Sequence, residues 1–202
     1  DKLKRFFSFI SICAFTATAT KKVEADIASN LNLQNAKHFR AKTIRDNIDI
    51  KVEPRIANGK TQILNFLKTH KGLCGIIYTF TRKEAESTAQ FLSENGYSSK
   101  AYHAGLSPKV KDEVYDAFVY EKIDIVVATI AFGMGIDKSN IRFVIHTSLP
   151  KTLENYYQEI GRAGRDGEMS YVYLLYSKSD EVKRKIQIEE AIDNSYKQTG
   201  LD

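Results

Sequence analysis

The sequence predicts an α/β domain in which a mostly parallel sheet carries helices on both faces. Three observations lead there. Continuous apolar runs recur at 75–80, 124–129, 143–148 and 171–176, amphipathic stretches of helical period lie between most of them, and capping or stopping residues stand at the changeovers. Strands without polar alternation are buried on both sides, which is the condition of a parallel sheet between two helical layers.

The elements follow in order. Lys21 to Leu33 places Val23, Ile27, Ala28 and Leu31 at helical spacing behind a capping Thr20. Thr43 to Glu53 alternates Ile44, Ile48, Ile50 and Val52 with polar residues, as an extended strand does, and Pro54 ends it. Helical pattern resumes over Lys60 to His70, with Ile63, Leu64 and Leu67 on one face. GIIYTF (75–80) is a strand. The stretch after it carries a stripe of Ala85, Ala89 and Leu92, and Gly96 is placed to stop that helix. KAYHAG (100–105) is a strand, and Ser107 to Lys122 a helix with Ser107 as cap and Pro108 at its first position. DIVVAT (124–129), FVIHTS (143–148) and YVYLLY (171–176) are further strands, the last two separated by the helical TLENYYQEIGRAG. From Ser177 onward the chain is charged and helical, and it is expected as a surface appendage.

Composition sets the limits. The 202 residues carry 30 Lys plus Arg against 25 Asp plus Glu, a net charge of +5, with 43% hydrophobic and 27% charged residues. That is the balance of a globular domain, far from collagen, mucin or disordered tails. Cys13 and Cys74 are too few for a disulfide framework or a four-thiolate zinc site, which favours a reducing, intracellular setting. The opening 1–20 imitates a secretory signal, with Lys2, Lys4 and Arg5 before an apolar run from Phe6 to Phe15. That run is about half the length that spans a bilayer, so no membrane is expected. A buried strand leading into small hydroxylated residues is the preferred reading. Asp in place of Met at position 1 points to an excised piece.

Four segments are candidates for chemistry. PRIANGKT (54–61) follows a strand, opens a helix and ends in Gly-Lys-Thr, as a phosphate loop does. Pro54 stands where that loop needs a glycine with a free N–H, and no later strand ends in paired acids, so a plain helix start is expected. In QEIGRAGRDG (158–167), Arg162 and Arg165 lie three apart among Gly161, Gly164 and Gly167. They are neighbours if the helix continues, and they fan out if the glycines break it. Two guanidiniums there suit a polyanion such as a nucleoside triphosphate, and spacing alone leaves a solvated charged turn equally open. In VVATIAFGMGIDKSNIRFVIH (126–146), Thr129, Gly133, Gly135 and Asp137 follow a strand, where open parallel sheets bind ligands. In YTFTRKEAE (78–86), Thr79, Thr81 and Arg82 stand at a strand end and helix start, where a phosphate can be held, although a helix cap explains Thr81 equally well. His103 is taken as a structural histidine, and no metal constellation accompanies it.

In this order the motifs resemble the carboxy-terminal RecA-like lobe of a superfamily-two DNA helicase of the RecQ family. FTATAT (15–20) resembles motif III, IIYTFTRKEAE motif IV, VVATIAFGMGIDKSNIRFVIH motif V and YYQEIGRAGRDG motif VI, and KAYHAGLS resembles the segment after motif IV. The resemblance runs from about Ala14 to about Lys185. It implies a RecA-like three-layer sandwich divided as follows: 1–20 the end of a preceding lobe with motif III, 21–40 an inter-lobe helix and linker, 41–177 the second lobe, and 178–202 a helical tail. It also makes Phe6 to Phe15 the last strand of the preceding lobe.

By resemblance, ATP binds between two lobes, and the first lobe of the same parent chain supplies the phosphate loop and the Mg2+ ligands. Arg165 would be the arginine finger and Arg162 a companion contact. Gln158, Gly135 and Asp137 would complete this lobe's share of the ATP interface. Thr79, Arg82 and Thr129 would grip single-stranded DNA, while Thr16 and Thr18 would couple the two. Walker A and the DEAH-type Walker B are missing, and no cysteine-rich zinc subdomain follows Lys185. The chain alone is therefore expected to hydrolyse no ATP, the alternative being a nucleic-acid-binding module with no ATPase role. A cytoplasmic, nucleoid or nuclear location is expected.

Overall fold

The computed structural model describes residues 11–16, 19–33, 35–40, 45–133 and 135–199, with side chains to residue 190. The chain divides into two compact units, 1–45 and 46–202. In the first, α1 (Lys21–Asn30) is capped by Thr20, whose hydroxyl accepts the Val23 N–H at 3.3 Å. Glu24 binds His38 at 2.6 Å and also Arg40, and these two bonds, Arg40's first, hold its carboxyl below the usual carboxylate range. The run Phe6 to Phe15 lies outside the described residues up to position 10. Over 11–16 the expected buried strand is not formed, and Phe15 is 93% exposed. A strand exists only as a paired object, and among the described residues none pairs with this segment.

The second unit alternates as the apolar runs require: β1 (Ile48–Pro54), α2 (Lys60–Thr69), β2 (Gly75–Tyr78), α3 (Arg82–Glu94), β3 (Ser99–Tyr102), α4 (Pro108–Val119), β4 (Ile125–Ala128), β5 (Phe143–His146), α5 (Leu153–Ile160), β6 (Ser170–Tyr176) and α6 (Lys178–Thr199). The sheet runs in the order β1-β6-β5-β2-β4-β3 with every pairing parallel. Sequence neighbours β2 and β3 are separated by β4, and β4 and β5 lie on either side of β2. The chain leaves β2 toward β3 on one side and leaves the adjacent β4 toward β5 on the other, which makes the gap between β2 and β4 a switch point, where ligands of open parallel sheets bind.

Side-chain alternation builds the three layers. Ile77, Ile125, Val127, Phe143 and Ile145 face one side and pack on Ile63 and Leu67 of α2 and on Ala85, Ala89 and Leu92 of α3. Ile76, Tyr78, Val126, Ala128 and Val144 face the other, against Val114 and Phe118 of α4 and Ile160 of α5. One position is dictated by its partner in register. Gly75 lies opposite Phe143, and a Cβ on it would come within 2.4 Å of that buried ring, so only glycine lets β2 and β5 pair.

The tail is not an appendage at its start. Asp180, 1% exposed, takes a bidentate grip from Arg55 at 2.7 and 2.9 Å, and Arg55 also donates to Ser177 Oγ and to the Thr147 carbonyl. Arg184 donates to the Leu149 carbonyl at 2.8 Å and lies over the Phe80 ring at 4.6 Å. A charged sequence conceals this docking because the buried contacts are themselves polar.

Candidate functional site

The carboxyl ends of the parallel strands place the candidate residues. Tyr78 and Ala128 are register partners, so Thr79 and Thr129 leave adjacent strands side by side. Thr79 is 5% exposed. Its N–H donates to the Ala128 carbonyl at 2.8 Å, and its hydroxyl donates to the Thr81 and Ala128 carbonyls at 3.2 and 3.4 Å. Thr129 is half-buried.

The start of α3 is closed by its own side chains. Thr81 Oγ1 accepts the Glu84 N–H, and the Glu84 carboxylate accepts the Phe80 and Thr81 N–H groups, all at 3.1 Å, in a capping box. The cap thus accounts for Thr81. Arg82 is exposed and folds over Gly105, where a Cβ would meet its Nη1 at 3.0 Å and His103 Nδ1 at 3.3 Å. His103 is 4% exposed, its Nε2 lies 2.9 Å from Glu86, and its Nδ1 has no partner among the described residues. The ends of β2, β3 and β4 thus bring a cation, a half-buried hydroxyl and a histidine to one edge.

The second cluster joins the loop after β4 to the segment after α5. Helix α5 ends at Ile160, and Gly164 adopts φ +59 with its N–H on the Ile141 carbonyl. A Cβ there would lie 2.5 Å from Asn47 Nδ2, which itself donates to the Gly164 and Glu168 carbonyls. The glycines therefore break the helix, and the two arginines fan out. Arg162 Nη1 donates to the Gly133 carbonyl and Arg165 Nη1 to the Ile136 carbonyl, the latter at 2.7 Å. A Cβ on Gly133 would fall 2.4 Å from Arg162 Nη2, so glycine is needed for the guanidinium to lie on this backbone.

Gly135 and Asp137 are exposed in the same loop, and Gln158 is exposed one turn before the arginines. Beside them, Asp166 binds Arg142 through both oxygens at 2.6 Å, which keeps its carboxyl below the usual range. Thr16 is exposed in the first unit, and Thr18 lies outside the described residues.

Sequence reasoning missed several buried groups. His146 Nε2 lies 2.7 Å from Glu159, joining β5 to α5. The Tyr78 hydroxyl donates to the Phe132 carbonyl at 2.9 Å. Burial holds that hydroxyl protonated far above the ordinary tyrosine range. Nothing in a linear pattern marks either, because each partner comes from a distant element. Lys60, the lysine of the suspected phosphate loop, donates to the Ser87 carbonyl at 2.8 Å and lies over the Phe91 ring. Among the described residues no group of three His, Cys, Asp or Glu could hold a metal, and no helix is long and apolar enough to cross a membrane.

The described residues thus hold a strand-end basic edge and an arginine-bearing Gly-rich loop, and comparison with known proteins gives the family. Residues 59–167 match the helicase conserved C-terminal domain. The chain is 44% identical over 182 residues to the RecQ-like DNA helicase blm-1 of Caenorhabditis elegans, covering 90% of this chain and 18% of that protein. It is 42% identical to the ATP-dependent DNA helicase RecQ of Bacillus subtilis, covering 89% and 30%.

The chain belongs to the helicase C-terminal domain family, in its RecQ branch.

Among solved structures, a DEAD box protein from Methanococcus jannaschii superposes with a TM-score of 0.60 at 26% identity over 89% of this chain and 48% of that one. The Escherichia coli DEAD-box protein SrmB, at 19% identity and a TM-score of 0.57 over 68% of this chain and 79% of that one, shares the fold. This RecQ-type lobe thus spans less than a third of either helicase named above. Its six-stranded, wholly parallel sheet is RecA-like, as the motifs implied.

Proposed function

We propose that this chain is the second motor lobe of an ATP-dependent DNA helicase, supplying arginines to ATP held by a partner lobe and part of the grip on single-stranded DNA. The observation that carries the reading is the pairing of Arg162 with the Gly133 carbonyl and of Arg165 with the Ile136 carbonyl. These contacts orient two guanidiniums at one loop, and among the described residues no carboxylate pairs with either, which leaves their charge to an anion. A triphosphate needs planar cationic forks as negative charge shifts onto the leaving oxygen.

Arg165 is the finger, Arg162 is its companion phosphate or coupling contact, and Gln158, Gly135 and Asp137 complete this lobe's share of the ATP interface. Magnesium, when bound with ATP, would offset phosphate charge. By the family resemblance its ligands are assigned to the partner lobe, with the phosphate loop. On the other edge, Thr79, Arg82 and Thr129 contact the DNA backbone, the buried Thr79 also shaping the turn between the strand ends, and Thr16 and Thr18 relay nucleotide state. Closure on ATP and reopening after hydrolysis then move the lobes along one strand.

The test is Arg165→Ala in the helicase that carries this lobe. Turnover should fall by about three orders of magnitude while ATP binding survives. Equal loss of binding and rate would make Arg165 a ground-state anchor. The isolated chain should hydrolyse no ATP. Salt-dependent single-strand binding by a lobe whose helicase keeps full turnover after Arg165→Ala would instead favour a binding module without ATPase role.

A further inference from the structure

Tyr78 lies where the two edges of the site meet. It is the last residue of β2, directly before Thr79, and is 4% exposed with its ring stacked on His146 at 5.2 Å. A phenylalanine would fill the same space, so the hydroxyl needs its own account: a buried O–H is costly unless bonded. Its proton goes to the Phe132 carbonyl at 2.9 Å, and the Arg162 guanidinium lies beside its oxygen. Arg162 in turn donates to the next carbonyl, that of Gly133. Two successive carbonyls of the loop after β4 are therefore held by one hydroxyl from β2 and one guanidinium from the segment after α5. Phe132 is itself wedged against Tyr102 and Phe118, at 4.7 and 5.8 Å between ring centres, so this end of the loop is seated in packed aromatic core.

We propose that Tyr78 is a positioning residue: its hydroxyl keeps Arg162 and the loop after β4 in register, so that nucleic acid held at the ends of β2 and β4 is felt at the arginines. The mechanism is short-range. Thr79 is covalently next to Tyr78 and bonded to Ala128, so a displacement at either strand end moves the Tyr78 oxygen, and a close-packed core transmits that shift rather than absorbing it. The part played in turnover rests on the helicase reading, whereas the clamp itself does not.

Tyr78→Phe removes the oxygen and leaves the ring. In this chain, hydrogen exchange at the Phe132 and Ile136 amides, which bond the Thr129 and Gly133 carbonyls, should speed up about tenfold or more, while the core amides of β5 stay protected. Unchanged exchange at those two amides overturns the clamp, and so does an equal acceleration throughout the sheet. In the helicase carrying this lobe, Tyr78→Phe should lower DNA-stimulated kcat about tenfold with KM for ATP within about twofold, and should cost nothing further in an Arg162→Lys background. Additive losses, or a loss confined to KM, overturn the action through Arg162. If the unsubstituted helicase shows no DNA-stimulated turnover, the functional reading fails, and the exchange measurement decides the clamp alone.

Discussion

His146 on β5 and Glu159 on α5 form a buried pair, Nε2 to Oε2 at 2.7 Å, with side chains 2% and 9% exposed. The bond ties the centre of the sheet to the helix that leads directly into Arg162 and Arg165. Glu159→Ala would leave the imidazole buried without its partner and should destabilise the lobe by about 3 kcal/mol, as broken buried pairs do. Glu159→Gln keeps a hydrogen-bonding group and should lose about 1 kcal/mol. Urea unfolding of the two variants checks this, and equal losses would show that the charge, rather than the bond, is what matters.

The Arg55–Asp180 pair makes a second prediction. Side-chain exposures of 11% and 1% leave little solvent to take over if one partner is removed. Arg55→Ala should reduce stability by about 3 kcal/mol and release the first turns of α6. Amide exchange over 178–184 reports that release directly. Stability lost without faster exchange there would mean that Arg55 acts through the Thr147 carbonyl instead.

Gly133→Ala tests the loop that carries the arginines. The added methyl would overlap Arg162 Nη2 at 2.4 Å and displace the guanidinium. In the helicase carrying this lobe, turnover should fall about tenfold or more while the thermal midpoint moves by only a few degrees. Restoration of turnover by Arg162→Lys in the alanine background would fit a steric cause, because the slimmer ammonium clears the methyl.

Asp166 gives a pH dependence with a definite sign. The Arg142 bond lowers its pKa in the folded chain, so the pair's contribution is fully present above the unfolded value, about 3.9, and is lost as pH falls through the lower folded value. Asp166→Asn should therefore flatten the acid limb of the stability curve below about pH 4 and leave its neutral region with the same slope. Unfolding midpoints across that limb, with and without the substitution, measure it. An unchanged acid limb would assign the acid sensitivity to other carboxylates.

The sequence by itself determined the parallel α/β architecture, because apolar runs such as GIIY and FVIH have only one way to be buried on both sides. It also determined the caps at Thr20 and Ser107, which are local hydrogen bonds, and the motif positions of Arg162, Arg165 and Asp137, while Thr81 was settled as a cap only by the capping box with Glu84. It left open whether 158–167 stays helical, and tertiary structure decided that through Asn47 and the Ile141 carbonyl, both distant in the chain. The expected burial of Phe15 and the expected detachment of the tail went wrong for a shared reason. A strand needs a partner and a charged helix needs to be alone, and neither condition is written in the segment itself. Tyr78, His146 and Gly133 belong to the same class: their roles come from partners on distant segments, which the tertiary structure alone brings together.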